Sequence, residues 1–251
     1  MLNDQLLESF INGFYGFGNY QAQYWFIGME EGGGKRLDEI SRQLDIWDRW
    51  GRKELIDVAE YAREMNITRW YGESPKLQPT WKHLIRIFLT AEGKPVDAET
   101  MRQYQKNLWG TKGGNTCLLE LLPLPAPSIS SWLYREISTV HYLASRKTYR
   151  EYVTPLRIAH LQNRIRQYQP KAVVLYGSGY EAYWKRIAGI DSWEKSLEGV
   201  NFAINNSTIF IFSKHPVAHG ATNAYFYGIG KLIAEFRAAQ YEPVAPPRSL
   251  S

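Results

Sequence analysis

The sequence predicts an α/β protein built on parallel strands, with a ligand site at their carboxyl ends. Three stretches carry this prediction. Tyr24-Trp25-Phe26-Ile27 is a short apolar run of β-formers. It breaks into Gly28, the paired acids Glu30 and Glu31, and Gly32-Gly33-Gly34, after which Leu37, Ile40, Leu44 and Trp47 recur at helical spacing. Residues 171–176, KAVVLY, are the strongest buried-strand signal, and Gly177-Ser178-Gly179 opens a helix behind them. Residues 208–213, TIFIFS, run directly into Lys214-His215-Pro216.

The remaining elements follow in order. Residues 2–17 read as a helix with Leu6, Leu7 and Phe10 on one face, ended by Gly13, Gly16 and Gly18. Residues 35–50 and 53–65 read as helices broken at Gly51, and 67–79 as a loop carrying Trp70 and Tyr71. Residues 81–90 form an amphipathic helix with Thr80 as N-cap and Gly93 as stop, and Asp97 caps another that ends near Gly110. Residues 115–122, NTCLLELL, read as a buried strand interrupted by Glu120; the proline-rich 123–127 behind it cannot continue a ladder. Residues 129–152 have helical character, and 156–168 form an amphipathic helix. Residues 200–204 and 208–213 flank Asn205-Asn206-Ser207, a hairpin signal. A last helix is expected over 221–240 and a disordered tail, with three prolines, over 241–251. No repeat or linker divides the chain, so 1–240 reads as one domain.

Composition narrows the function classes. The 251 residues are 44% hydrophobic, enough for a sizeable core, and the formal net charge of +5 fits a polyanionic partner. A single cysteine, Cys117, excludes an intramolecular disulfide and a cysteine-only metal cluster. No run is long and apolar enough to span a bilayer, and the N-terminus lacks a signal-peptide core, so a cytoplasmic protein without membrane contact is expected.

The motifs have competing readings. Gly32-Gly33-Gly34-Lys35-Arg36 invites a phosphate-loop reading, but Met29 stands where the first glycine belongs and Arg36 where the hydroxyl belongs. An anion pocket outside that motif stays open. Glu30 and Glu31 follow the first strand, where one could orient water or stabilise a developing cation; like charges this close raise one pKa. His215 ends a predicted strand. Metal ligation by His215 and His219 is disfavoured by Pro216, which breaks the helix that spacing needs. Glu120, inside an apolar run, needs a partner: a core Arg or Lys, or a ligand.

These pieces, in this order, resemble the uracil-DNA glycosylase superfamily. Gly28-Met29-Glu30-Glu31-Gly32 stands where the family's first motif follows its first strand, and Glu120 where a base-recognising Asn ends the second. Val173-Val174-Leu175-Tyr176-Gly177 matches a third strand running into Gly. Ser213-Lys214-His215-Pro216-Val217-Ala218 matches the last motif, a strand followed by His-Pro-Ser-Pro. The resemblance covers residues 20–235 and implies a three-layer α/β/α domain with a central four-stranded parallel sheet. It implies catalytic roles for Glu30, on water or the sugar cation, and for His215, on the departing base. It further implies substrate contacts from Gly28, Glu31, Gly32, Glu120 and Pro216, and no metal or organic cofactor.

The departures are Glu31 for a proline, Val217-Ala218 for Ser-Pro, and Glu120 for Asn. An ionised Glu only accepts hydrogen bonds, so at Glu120 it would oppose uracil O4 and suit a donor-rich edge. The expected function is therefore a DNA or nucleoside N-glycosylase not specific for uracil, acting on nucleic acid or nucleotide. Tyr24, Trp25 and Trp70 are its candidate stacking groups. A catalytically inactive nucleobase- or nucleic-acid-binding module of the same fold is the alternative. An unrelated hydrolase of a small phosphorylated ligand, using the glycine turn, is the third reading.

Overall fold

Residues 1–128 and 130–241 are described by a computed structural model of the protein. Its eight strands are β1 (Gly16–Phe17), β2 (Tyr24–Glu30), β3 (Leu55–Ile56), β4 (Thr116–Leu122), β5 (Ala172–Tyr176), β6 (Glu194–Lys195), β7 (Asn201–Asn205) and β8 (Thr208–Ser213). They form one mixed, largely parallel sheet flanked by helices, in the order β3-β1-β4-β2-β5-β8-β7-β6.

The four long apolar runs form its centre. β2 pairs in parallel with β4 on one side and β5 on the other, and β5 pairs in parallel with β8. Strands covered on both faces carry unbroken apolar runs, which is why β2, β4, β5 and β8 show no polar alternation. Six of the seven β2 residues are buried. The expected four-stranded sheet is thus the core of a wider one. β1 and β3 extend the β4 edge, and β7 and β6 the β8 edge, with antiparallel pairings of β1 to β4, β7 to β8 and β6 to β7. Asn206, with φ 54°, turns the predicted β7–β8 hairpin.

Several boundaries differ from expectation for identifiable reasons. The first helix is Asp4–Gly13, and Gly16-Phe17 behind it is a strand rather than a helix end. Leu55-Ile56 pairs with β1, so the expected helix over 53–65 starts only at Val58, where the Asp57 carboxylate accepts from the Ala59 and Glu60 amides. Thr68–Tyr71 forms one helical turn inside the expected loop. The helix Pro79–Ala91 is capped by Gln78, not Thr80: the Gln78 side chain accepts from the Trp81 amide at 2.7 Å. Asp97 caps Ala98–Asn107 as expected.

The largest difference is the helix Arg146–Tyr168, which runs through Pro155. The proline removes one backbone bond. A capping box between Ser145 and Thr148 and the buried Tyr149, Val153, Arg157, Ile158, Leu161 and Ile165 hold the helix across it. The last helix, Asn223–Tyr241, takes the first residue of the expected tail; residues 242–251 lie outside the described residues. Among the described residues, no helix is long and apolar enough to cross a membrane.

From β2 the chain runs through the edge strand β3 to β4 on one side of β2, and then crosses to β5 on its other side. The carboxyl ends of β4, β2 and β5 therefore frame a topological switch point, where open α/β sheets hold ligands.

Candidate functional site

A cavity of about 470 Å³ lies at that switch point. Glu30, Glu31 and Gly32 reach it from the end of β2, Glu120 from β4, Tyr176 from β5 and His215 from beyond β8. Trp70, Tyr71 and Trp81 line it from the long β2–β4 connection. The structure thus brings together five of the seven sequence-predicted site residues, drawn from two strands and the loops that follow β2 and β8.

Glu120 is set by strand register. It pairs with Gly28 across β2–β4, and Tyr176 lies one residue past the Ile27–Leu175 pair on the other side of β2. Gly28 leaves open the space between them. A Cβ built there would stand 2.3 Å from the Tyr176 hydroxyl and 2.4 Å from Glu120 Oε2. Across this gap the Tyr176 hydroxyl donates to Glu120 Oε1 at 3.2 Å. Gly28 is therefore covered by these two side chains and does not line the cavity; its contribution is clearance rather than contact with a ligand.

No core Arg or Lys pairs with the Glu120 carboxylate among the described residues. The buried Arg157 donates instead to backbone carbonyls of Glu120 (2.9 Å), Leu121 (2.6 Å) and Ile11 (2.9 Å), with its guanidinium 3.8 Å from the Tyr15 ring centre. Glu120 Oε2 is shut off from solvent and has no hydrogen-bond partner among the described residues. Burial, reinforced by the nearby Glu31, pushes the Glu120 carboxyl up to about 8. At neutral pH it is mostly protonated and can donate as well as accept, which removes the premise that it is acceptor-only.

Glu30 is held differently. Arg146, at the first turn of Arg146–Tyr168, donates to Glu30 Oε1 and to the Ser128 carbonyl (2.8 Å). Both side chains are only 13% exposed, and Glu30 Oε2 has no partner among the described residues. Glu31 accepts from Gln43 at 3.4 Å, and burial raises its carboxyl to about 7.

His215 keeps solvent contact, and its ring meets Tyr176 edge-on at 5.7 Å. Burial lowers its pKa. The Val217 amide donates to Nδ1 at 3.4 Å, which places the proton of the neutral ring on Nε2.

No protein-family model matches the chain, and no curated protein shows significant sequence similarity to it.

Several expected roles fall elsewhere. Pro216 is buried and lines a neighbouring open depression with Lys82, His83, Arg86, Val217 and Ala218. Tyr24 and Trp25 sit in the core at the amino end of β2. The Tyr24 hydroxyl bonds Glu92 and Arg237, and Trp25 Nε1 donates to the Ala22 carbonyl. Of the three proposed stacking groups only Trp70 reaches the cavity.

The glycine turn is already filled. The Glu39 carboxylate accepts from the Gly34 and Lys35 amides, both at 3.1 Å, where an anion would sit. Gly34, at φ +63°, leaves no room for a Cβ, which would stand 2.6 Å from the Pro125 carbonyl. Among the described residues no group of three His, Cys, Asp or Glu is placed to hold a metal ion.

Sequence reasoning missed Arg146, Tyr176, Tyr71 and Trp81. Tyr176 was recoverable: the alignment of three apolar strands puts it in line with Gly28 and Glu120. Arg146 had no local signal, because its partner lies 116 residues away.

Proposed function

We propose that this protein is a divergent, uracil-DNA glycosylase-like N-glycosylase: it takes a nucleobase into the cavity and hydrolyses its N-glycosidic bond. A three-layer α/β/α arrangement belongs to this reading. The observation that carries it is the convergence of Glu30, Glu120 and His215 on one aromatic-walled cavity of small-molecule size.

Each group has a chemical task. Glu30, paired with Arg146, orients water and stabilises positive charge developing on the sugar. Tyr176 and Glu120 face the edge of the base, and His215 offers its Nε2 proton to an acceptor on the departing base. Trp70, Tyr71 or Trp81 supplies an aromatic face for stacking. The adjoining depression with Lys82, His83 and Arg86 suits the phosphates of the strand that carries the base. Glu39 on the turn's two amides favours this reading over a phosphorylated ligand held there.

The test is release of free base from oligonucleotides that each carry one defined base. Glu30→Gln is expected to lower turnover at least a hundredfold while leaving binding within a few-fold, since it acts on transition-state charge. Binding of the oligonucleotides without release from any of them would favour the inactive binding module. Absence of both binding and release would refute the proposal.

A further inference from the structure

The cavity carries four carboxyl groups, Glu30, Glu31, Glu39 and Glu120; Glu30 is paired from behind with Arg146 and Glu39 caps two amides, but no lysine or arginine among the described residues lines the cavity itself. This is notable in a chain of net charge +5. Glu120 Oε2 and Glu30 Oε2 are buried and unpartnered among the described residues, and the indoles of Trp70 and Trp81 share the wall with them.

From this juxtaposition we infer that the base taken into the cavity is a positively charged one, an N-alkylated purine, rather than uracil or another neutral base. The inference rests on the reading of the cavity as a base-binding site. Aromatic faces and carboxylates together favour a flat cation.

The bond-breaking step points the same way. Water adds to C1′ and gives up a proton to Glu30 or solvent, while the C1′–N bond breaks and its electron pair stays on the ring nitrogen. A neutral base such as uracil leaves as an anion, which neighbouring carboxylates oppose. A cationic purine leaves as a neutral heterocycle and needs no positive group to receive it. The carboxylates then act only on the oxocarbenium ion, which they favour.

Proton linkage adds a second signature. Glu120 faces Glu31, the Tyr176 hydroxyl and, through the backbone, Arg157; Glu31 faces Gln43, Glu39 and Tyr61. Burial holds Glu120 mostly and Glu31 partly protonated near neutral pH, and a bound cation drives their protons off. Affinity for a cation therefore rises with pH, whereas affinity for a neutral base does not.

The experiment titrates the full chain with 1-methyladenosine, a cation at neutral pH, against adenosine, uridine and spermidine, followed by tryptophan fluorescence. 1-Methyladenosine is expected to bind at least tenfold more tightly than adenosine, and to tighten several-fold between pH 6 and pH 8. Glu120→Gln and, separately, Glu31→Gln should each shrink the preference and flatten the pH response, with circular dichroism confirming the fold. Adenosine or uridine binding as tightly as 1-methyladenosine would overturn this inference and leave the base-binding reading standing. Spermidine binding as tightly would overturn it too, since the aromatic wall would then play no part. Binding of no nucleoside would overturn both.

Discussion

Arg157 and Arg146 sit on one helix and do opposite work. Arg157 is fully buried, and its bonds run to three backbone carbonyls, so it ties β4 and the first helix together with neutral partners. Arg146 sits at the helix start, where its partner is a cavity carboxylate with one oxygen unbonded among the described residues. Buried polar groups that satisfy one another stabilise a fold. A buried pair left half-satisfied beside a cavity costs stability and persists where a ligand completes it. The contrast separates a structural brace from a positioning group, although in sequence both are basic residues of the same helix.

Substitutions can break or sharpen this contrast. Arg157→Met should have the largest effect on folding, about 3–5 kcal/mol, because three buried carbonyls lose their donor. Denaturant unfolding checks this, and a loss below about 1 kcal/mol would make Arg157 dispensable. Arg146→Gln should lower stability by only about 1 kcal/mol and, if the protein is the proposed glycosylase, reduce base release about a hundredfold by freeing Glu30 to swing. Equal effects of the two changes on stability would erase the distinction.

A third effect concerns pH. Glu120, whose carboxyl titrates near 8 in the folded chain against 4.5 as its ordinary value, binds its proton more tightly folded than unfolded. Its contribution to stability is full below about pH 4.5 and is lost as pH rises through 8. Glu120→Gln should therefore flatten the fall in stability between pH 5 and pH 8, by on the order of 2 kcal/mol at the upper end. An unchanged slope would show that Glu120 ionises normally.

The parts legible in the sequence are those whose cause is local. The apolar runs of β2, β4, β5 and β8 announce a parallel core because covered strands need nothing else. Placing Glu30, Glu120 and His215 at the ends of such runs brought them to one rim. β1 and β3, two residues each, are too short to leave any period, and each exists only through its neighbours. The helix across Pro155 was illegible because its penalty is local while its compensation is a buried face spread over five turns. Tyr24 and Trp25 failed as stacking groups because they open the strand whose other end meets the cavity.

The glycine turn after β2 has a kinetic and evolutionary consequence. Glu39 reaches its two amides from five and four residues away along the chain. So tethered, it competes at an effective concentration of about millimolar or more, without diffusing to its site. Free phosphate would have to outcompete a neighbour that is always present. The turn is thus set before any ligand arrives and spends no ordering entropy on capture. Removing the acceptor altogether, as Glu39→Ala does, would free both amides for an outside anion.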